Sequence, residues 1–223
     1  VVGLLWMIGH LALGAPLEFV VAELANGGRV IVGSRHGKGH TVPPLGINWL
    51  LNILVLANLG ATHIWATSAC GVIENGKAKK GVPSLVKQSF DFSFQWVTFF
   101  LFGPAVHFSL ADPTCLEQDE FLTKIAGRVG VELGETVDYV TIPGPHFGNR
   151  LTSRIWAMLG IDVVGQSFDR EHKPAREARI HYSCFALPTD ADAKPGEEVT
   201  QKVVDAALEA LMAPVVKIFK EGL

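Results

Sequence analysis

Two stretches of this sequence, far apart along the chain, could between them handle an anion and a proton. The first runs Ser34-Arg35-His36-Gly37-Lys38-Gly39-His40-Thr41. Arg35 offers a planar fork of donors that matches an oxyanion, and His36 adds a ring donor. The glycines let backbone approach a ligand closely. A solvated basic loop has the same composition, so the loop alone leaves both readings open. The second stretch is Leu187-Pro188-Thr189-Asp190-Ala191-Asp192, with two carboxylates two residues apart. Such a pair suits a general acid and a hydrogen-bond partner. Asp is also favoured in helix caps and turns, which is the plainer reading. Between them lie Thr67-Ser68-Ala69-Cys70-Gly71, Gly165-Gln166-Ser167, and a Gly/Pro-rich loop carrying Phe147. Ser68 fits either a ligand contact or a tight turn, and Phe147 either a stacking ring or a core aromatic.

Each stretch follows an apolar run that reads as a strand. Arg29–Gly33, His63–Ser68, Val137–Ile142, Asp162–Gly165 and His181–Leu187 are short and apolar, several of them rich in β-branched residues. Between and after them, Asn48–Leu59, Asp119–Val129, Ser153–Leu159, Pro174–Arg179 and Thr200–Phe219 read as helices. Pro174 is placed in a first turn, where proline is tolerated. This alternation predicts an α/β fold built on a central twisted, mostly parallel (mixed) sheet flanked by helices. Ligands of such sheets sit beyond the carboxyl ends of the strands, where the chemistry-bearing stretches fall.

The chain has 223 residues, enough for one domain over 1–223. Hydrophobic residues make up 48% and charged residues 18%, which suits a buried sheet or a buried subunit interface. A net charge of −3 argues against a nucleic-acid surface. Cys70, Cys115 and Cys184 form no close pair, so they read as reduced thiols in a cytoplasmic protein, with no zinc motif. The apolar opening Val1–Leu17 is broken by Gly3, Gly9, Gly14 and Pro16, and reads as a buried strand region rather than a membrane span. The chain opens at Val1 rather than Met, which leaves room for residues before it. His36 and His40 have the i, i+4 spacing of a helical metal pair, but Gly37 and Gly39 argue against a helix there, so no metal is expected.

In this order, seven segments resemble the family of methylthioadenosine phosphorylases and trimeric purine nucleoside phosphorylases. They are SRHGKGHTVPPLGINW (34–49), THIWATSACG (62–71), HFSLADPTC (107–115), PGPHFGNR (143–150), VVGQS (163–167), AREARIHYS (175–183) and LPTDAD (187–192). The resemblance implies a nucleoside phosphorylase-like domain acting on a purine nucleoside. Inorganic phosphate would be the co-substrate, with no other cofactor. It implies that Arg35, His36, Ser68 and Ala69 bind phosphate, that Phe147 packs on the purine, and that Gln166 and Ser167 lie along the ribose. Asp190 would act at purine N7 and Asp192 would take the 6-amino group, the aminopurine pattern. His40 and His107 would sit near the 5′ end of the nucleoside, where family subunits meet in a homotrimer.

The sequence also departs from the family. Where the family has a glycine-rich phosphate loop, Gly3–Leu11 carries Trp6 and Met7 in place of the paired glycines and Ile8 in place of the hydroxyl. Pro143, His146 and Thr152 replace the family's Glu, Arg and Glu, and Gln166 replaces the Met beneath the ribose. Phe168-Asp169-Arg170-Glu171 replaces most of its Asn-Val-Pro-Glu. Residues 89–102 are rich in aromatics, which suggests a pocket remodelled for an apolar ligand or a tighter subunit interface. These changes keep two alternatives beside phosphorolysis of a 5′-methylthioadenosine-like nucleoside. One is the same fold recruited to phosphate-independent chemistry on an apolar or heterocyclic small molecule. The other is a non-catalytic partner subunit.

Overall fold

A computed structural model describes residues 17–95, 97–101, 103 and 105–223. The Gly3–Leu11 stretch with Trp6, Met7 and Ile8 lies outside the described residues, as do Trp96 and Phe102. The strands are β1 (Phe19–Glu23), β2 (Arg29–Gly33), β3 (His63–Val72), β4 (Ser84–Asp91), β5 (Val137–Thr141), β6 (Val163–Gly165) and β7 (His181–Ala191). The helices are α1 (Trp49–Asn58), α2 (Leu116–Arg128), α3 (Arg150–Met158), α4 (Phe168–Glu177) and α5 (Gln201–Gly222).

Five strands close on themselves in the order β3-β6-β5-β4-β7, while β1 and β2 form a separate antiparallel ribbon. The pairs β3–β7, β4–β5 and β5–β6 are parallel, whereas β3–β6 and β4–β7 are antiparallel. The mixed, mainly parallel α/β sheet is therefore as expected, and its closure into a barrel is new. Strand β7 is buried on both faces from Tyr182 to Asp190, which is why it reads as a continuous apolar run. On one side, Phe185 and Leu187 pack against Leu211, Val215 and Ile218 of α5 and Leu122 and Ile125 of α2. Each such side chain contributes about 1.5–3 kcal/mol by leaving water.

Helix α4 differs from the reading of the sequence. It begins at Phe168, so Pro174 stands inside it rather than in its first turn. Its charged first half is buried: Asp169, Arg170 and His172 are each at most 2% exposed. Asp169 accepts hydrogen bonds from Thr141 at 2.7 Å and Ser89 at 2.9 Å, and lies 2.9 Å from His172 Nε2. Arg170 lies over the Trp49 ring at 5.7 Å and donates to the carbonyls of Ile142 and Pro143. The Asp169 carboxylate is compensated by its donors, whereas Arg170 Nε and Nη1 and His172 Nδ1 are buried without a hydrogen-bond partner among the described residues. The Arg170 bonds also fix the start of the loop that carries Phe147.

Phe92 and Phe94, which follow β4, are not among the residues that line the cleft at the strand ends. Phe92 meets Phe94 at 4.6 Å and Trp156 at 5.0 Å in edge-on contacts, joining the cluster of Ile73, Val140, Trp156 and Val164. Phe94 itself is 74% exposed.

Candidate active site

The loop after β2 turns sharply back on itself. Gly37 and Gly39 adopt φ of 70° and 76°, and His40 shares that left-handed conformation at 57°. The Val42 amide donates to the His36 carbonyl at 2.9 Å and closes the loop. Arg35 leaves this loop as an internal strut. Its Nε and Nη2 donate to both Glu171 carboxylate oxygens at 2.6 and 2.8 Å, and its Nη1 donates to the Thr67 carbonyl at 2.6 Å. Tyr182 donates to Glu171 at 2.9 Å. Burial alone would lower the Arg35 pKa, but the facing carboxylate outweighs it and holds it above its ordinary value. His36 lies beside this pair. Burial, with the charges of Arg35 and His40, lowers its pKa to about 4 against the opposing pull of the Val42 carbonyl.

The next wall is a run of hydroxyls. Ser68 Oγ lies 2.8 Å from Tyr139 Oη and 2.9 Å from Ser167 Oγ, joining β3, β5 and the start of α4. Burial raises the Tyr139 pKa, so it stays a neutral hydroxyl. Gly165 is required here because a Cβ would overlap the Tyr139 oxygen. Gln166 packs over Gly144 and donates to the His146 carbonyl at 3.3 Å.

At the far end stand Asp190 and Asp192. Strand β7 runs on to Ala191, so Asp190 belongs to the strand rather than to the loop after it. The β3–β7 register shifts between Cys70 and Gly71, which sets Gly71 opposite Asp190. A side chain at Gly71 would meet Asp190 Oδ2 at 3.0 Å, and one at Gly148 would meet Asp192 Oδ1 at 2.5 Å. Thr189 donates to Asp190 at 2.7 Å. Asp192 Oδ2 is buried and has no partner among the described residues. Burial raises the pKa of both carboxyls; for Asp192 the charge of Asp190 adds to it. Phe147, 44% exposed, stands on the loop beside them.

One continuous cleft is lined by Arg35, His36, His40, Ser68, Ala69, Phe147, Gln166, Ser167, Asp190 and Asp192. Residues separated by more than 150 positions thus share one space. His107 is exposed and does not line this cleft. Reading the sequence also missed Glu171, Tyr139, Thr189, Gly71 and Gly148. Glu171 was visible as the one residue of its segment that keeps the family's letter, but nothing local tied it to Arg35, 136 positions away. Among the described residues no group of three or more His, Cys, Asp or Glu side chains is arranged to hold a metal ion, and no helix is long and apolar enough to cross a membrane.

Chemically, the cleft can seat an anion beside a fixed guanidinium and line a polyol with hydroxyls. It can also offer a planar ring a carboxyl whose pKa is raised by burial and a free acceptor.

Comparison with known proteins identifies the family and the fold. Residues 10–220 match the model of the phosphorylase superfamily. An S-methyl-5′-thioadenosine phosphorylase of Thermofilum pendens is 35% identical over 188 residues, covering 84% of this chain and 71% of that protein. One from Xenopus tropicalis is 33% identical, covering 89% and 72%. The crystal structure of a mutant adenosine/methylthioadenosine phosphorylase from Schistosoma mansoni in complex with tubercidin superposes with a TM-score of 0.84 at 26% identity, covering 93% of this chain and 85% of that one. The chain belongs to the phosphorylase superfamily.

Proposed function

We propose that the cleft carries out phosphorolysis of a 5′-methylthioadenosine-like purine nucleoside. A phosphate oxygen bonds to C1′ as the C1′–N9 bond breaks. The bonding pair leaves with the purine, and a proton at N7 neutralises it, so the products are free base and ribose 1-phosphate. Arg35, His36, Ser68 and the Ala69 backbone hold phosphate, Gln166 and Ser167 border the ribose, and Phe147 packs on the base. Asp190 supplies the proton: its raised pKa keeps it protonated to higher pH than an ordinary Asp. Asp192 Oδ2, a buried acceptor without a donor, receives the 6-amino group. The observation that carries the reading is that Arg35 and the two aspartates line one cleft together with Ser68 and Ser167.

The active form in this reading is a cytoplasmic homotrimer of single-domain chains. In it the partner subunit's His107 meets the 5′ end of the nucleoside beside His40, which suits a histidine exposed on its own chain. Sedimentation of the purified protein as a monomer would rule out that arrangement.

The test is adenine release from 5′-methylthioadenosine with and without phosphate. Release that rises with phosphate and yields methylthioribose 1-phosphate is expected. Adenine release without phosphate would instead favour phosphate-independent chemistry, to which Trp6, Met7 and Ile8 in the altered loop point.

A further inference from the structure

His36 is held in one tautomer. Its Nδ1 lies 2.9 Å from the Val42 carbonyl oxygen. A carbonyl can only accept, so Nδ1 carries the hydrogen. The Val42 amide bonds back to the His36 carbonyl at 2.9 Å, which keeps the Val42 carbonyl beside the ring. Nε2 makes no hydrogen bond among the described residues, and His36 lines the cleft.

A second ring proton meets opposition on most sides. Arg35 precedes the ring, and the His40 ring lies tilted against it at 4.6 Å between centroids. Glu171 on α4 favours the proton but is paired to Arg35. Asp205 on α5 lies 3.8 Å from His40 rather than beside His36. At neutral pH Nε2 is therefore a lone pair. An acceptor beside a guanidinium repels an anion with only lone pairs and suits one that brings its own O–H.

We propose that His36 selects hydrogen phosphate over tetrahedral anions without a proton, such as sulfate, by accepting the phosphate O–H at Nε2. The inference rests on the reading that this loop binds the co-substrate phosphate. Sulfate has no proton to give near neutral pH, so it binds only when the ring takes one from solution. Its affinity then falls about tenfold per pH unit above the free ring's pKa, one proton being taken up per sulfate. Phosphate keeps an O–H on both sides of neutrality and needs no such uptake.

The experiment is titration calorimetry of the full chain with inorganic phosphate and with sulfate from pH 5.5 to 8. Two buffers of different ionisation enthalpy count the protons. Sulfate binding should weaken by roughly tenfold per unit with an uptake near one proton, while phosphate binding changes by less than about threefold per unit. In His36→Gln the amide can turn an N–H toward either anion, so the phosphate-to-sulfate ratio at pH 7.5 should fall by about tenfold or more. Parallel pH profiles for the two anions, or an unchanged ratio in His36→Gln, would overturn the role of His36 and leave phosphorolysis standing. A chain that binds neither anion, or whose phosphate affinity ignores Arg35→Ala, overturns both readings.

Discussion

The two ends of the cleft treat charge in opposite ways. At one end the guanidinium of Arg35 is matched by Glu171 and a backbone carbonyl, three hydrogen bonds of 2.6 to 2.8 Å. At the other, Asp190 receives a single hydroxyl, and one oxygen of Asp192 receives nothing among the described residues. The basic end is thus already neutral as a pair, while the acidic end is left in need of protons or donors. An arginine in a loop says that a cation is present, not that it is available. In the proposed reaction, anion binding would rely on fixed donor positions, and the proton chemistry on an electrostatic need left unmet.

Four measurements bear on this contrast. The largest effect is expected at the acidic end: Asp190→Asn should slow adenine release by about 10²- to 10⁴-fold with little change in nucleoside KM. An unchanged rate would remove Asp190 from the chemistry. At the basic end, Glu171→Gln strands a buried guanidinium and should cost about 2–3 kcal/mol of stability, read from urea unfolding. If the midpoint does not move, the pair is not the anchor its geometry indicates. Between the ends, Gly165→Ala should cost about 1–3 kcal/mol through overlap with the Tyr139 hydroxyl, and adding Tyr139→Phe should recover part of it. Failure of the double variant to recover would place the clash elsewhere.

The smallest effect is in pH dependence, where the two ends should have opposite signs. His36 is folded with a pKa of about 4 against 6.5 unfolded, so the native state binds fewer protons between those values. Its contribution is complete above pH 6.5 and is lost as pH falls toward 4. Asp190 and Asp192 have raised pKa values, so the native state holds their protons longer, and their contribution is lost as pH rises above 3.8. Each group changes the slope by at most about 1.4 kcal/mol per pH unit. His36→Gln should flatten the rise of stability with pH in this window, and Asp190→Asn with Asp192→Asn should steepen it. Equal slopes in all three proteins would show that neither end titrates as its surroundings dictate.

Much of this contrast could be read along the chain, and some could not. Strands β2, β3, β5, β6 and β7 and the loops after them were legible because buried strands carry continuous apolar runs. Strand β4 was not, since only its first residues are fully buried and its partners β5 and β7 are remote in sequence. The start of α4 was missed because Asp169, Arg170 and His172 are buried through polar partners, and hydrophobic periodicity cannot register that. Arg35 was legible as an anion candidate, yet its bond to Glu171 was not, because pairing across the fold leaves no local pattern. Asp190 and Asp192 were legible as neighbours, but only the fold reveals how few donors reach them.

The Arg35 strut also decides which wall of the cleft holds still. Through its guanidinium and Glu171 it ties together the loop after β2, Thr67 of β3, helix α4 and Tyr182 of β7. None of these can drift without breaking a charge-assisted bond. Across from it, between Gly144 and Gly148, one 3.3 Å bond from Gln166 to His146 is the hydrogen bonding present among the described residues. Stiffness is therefore concentrated on the side of Arg35, and compliance on the side that carries Phe147.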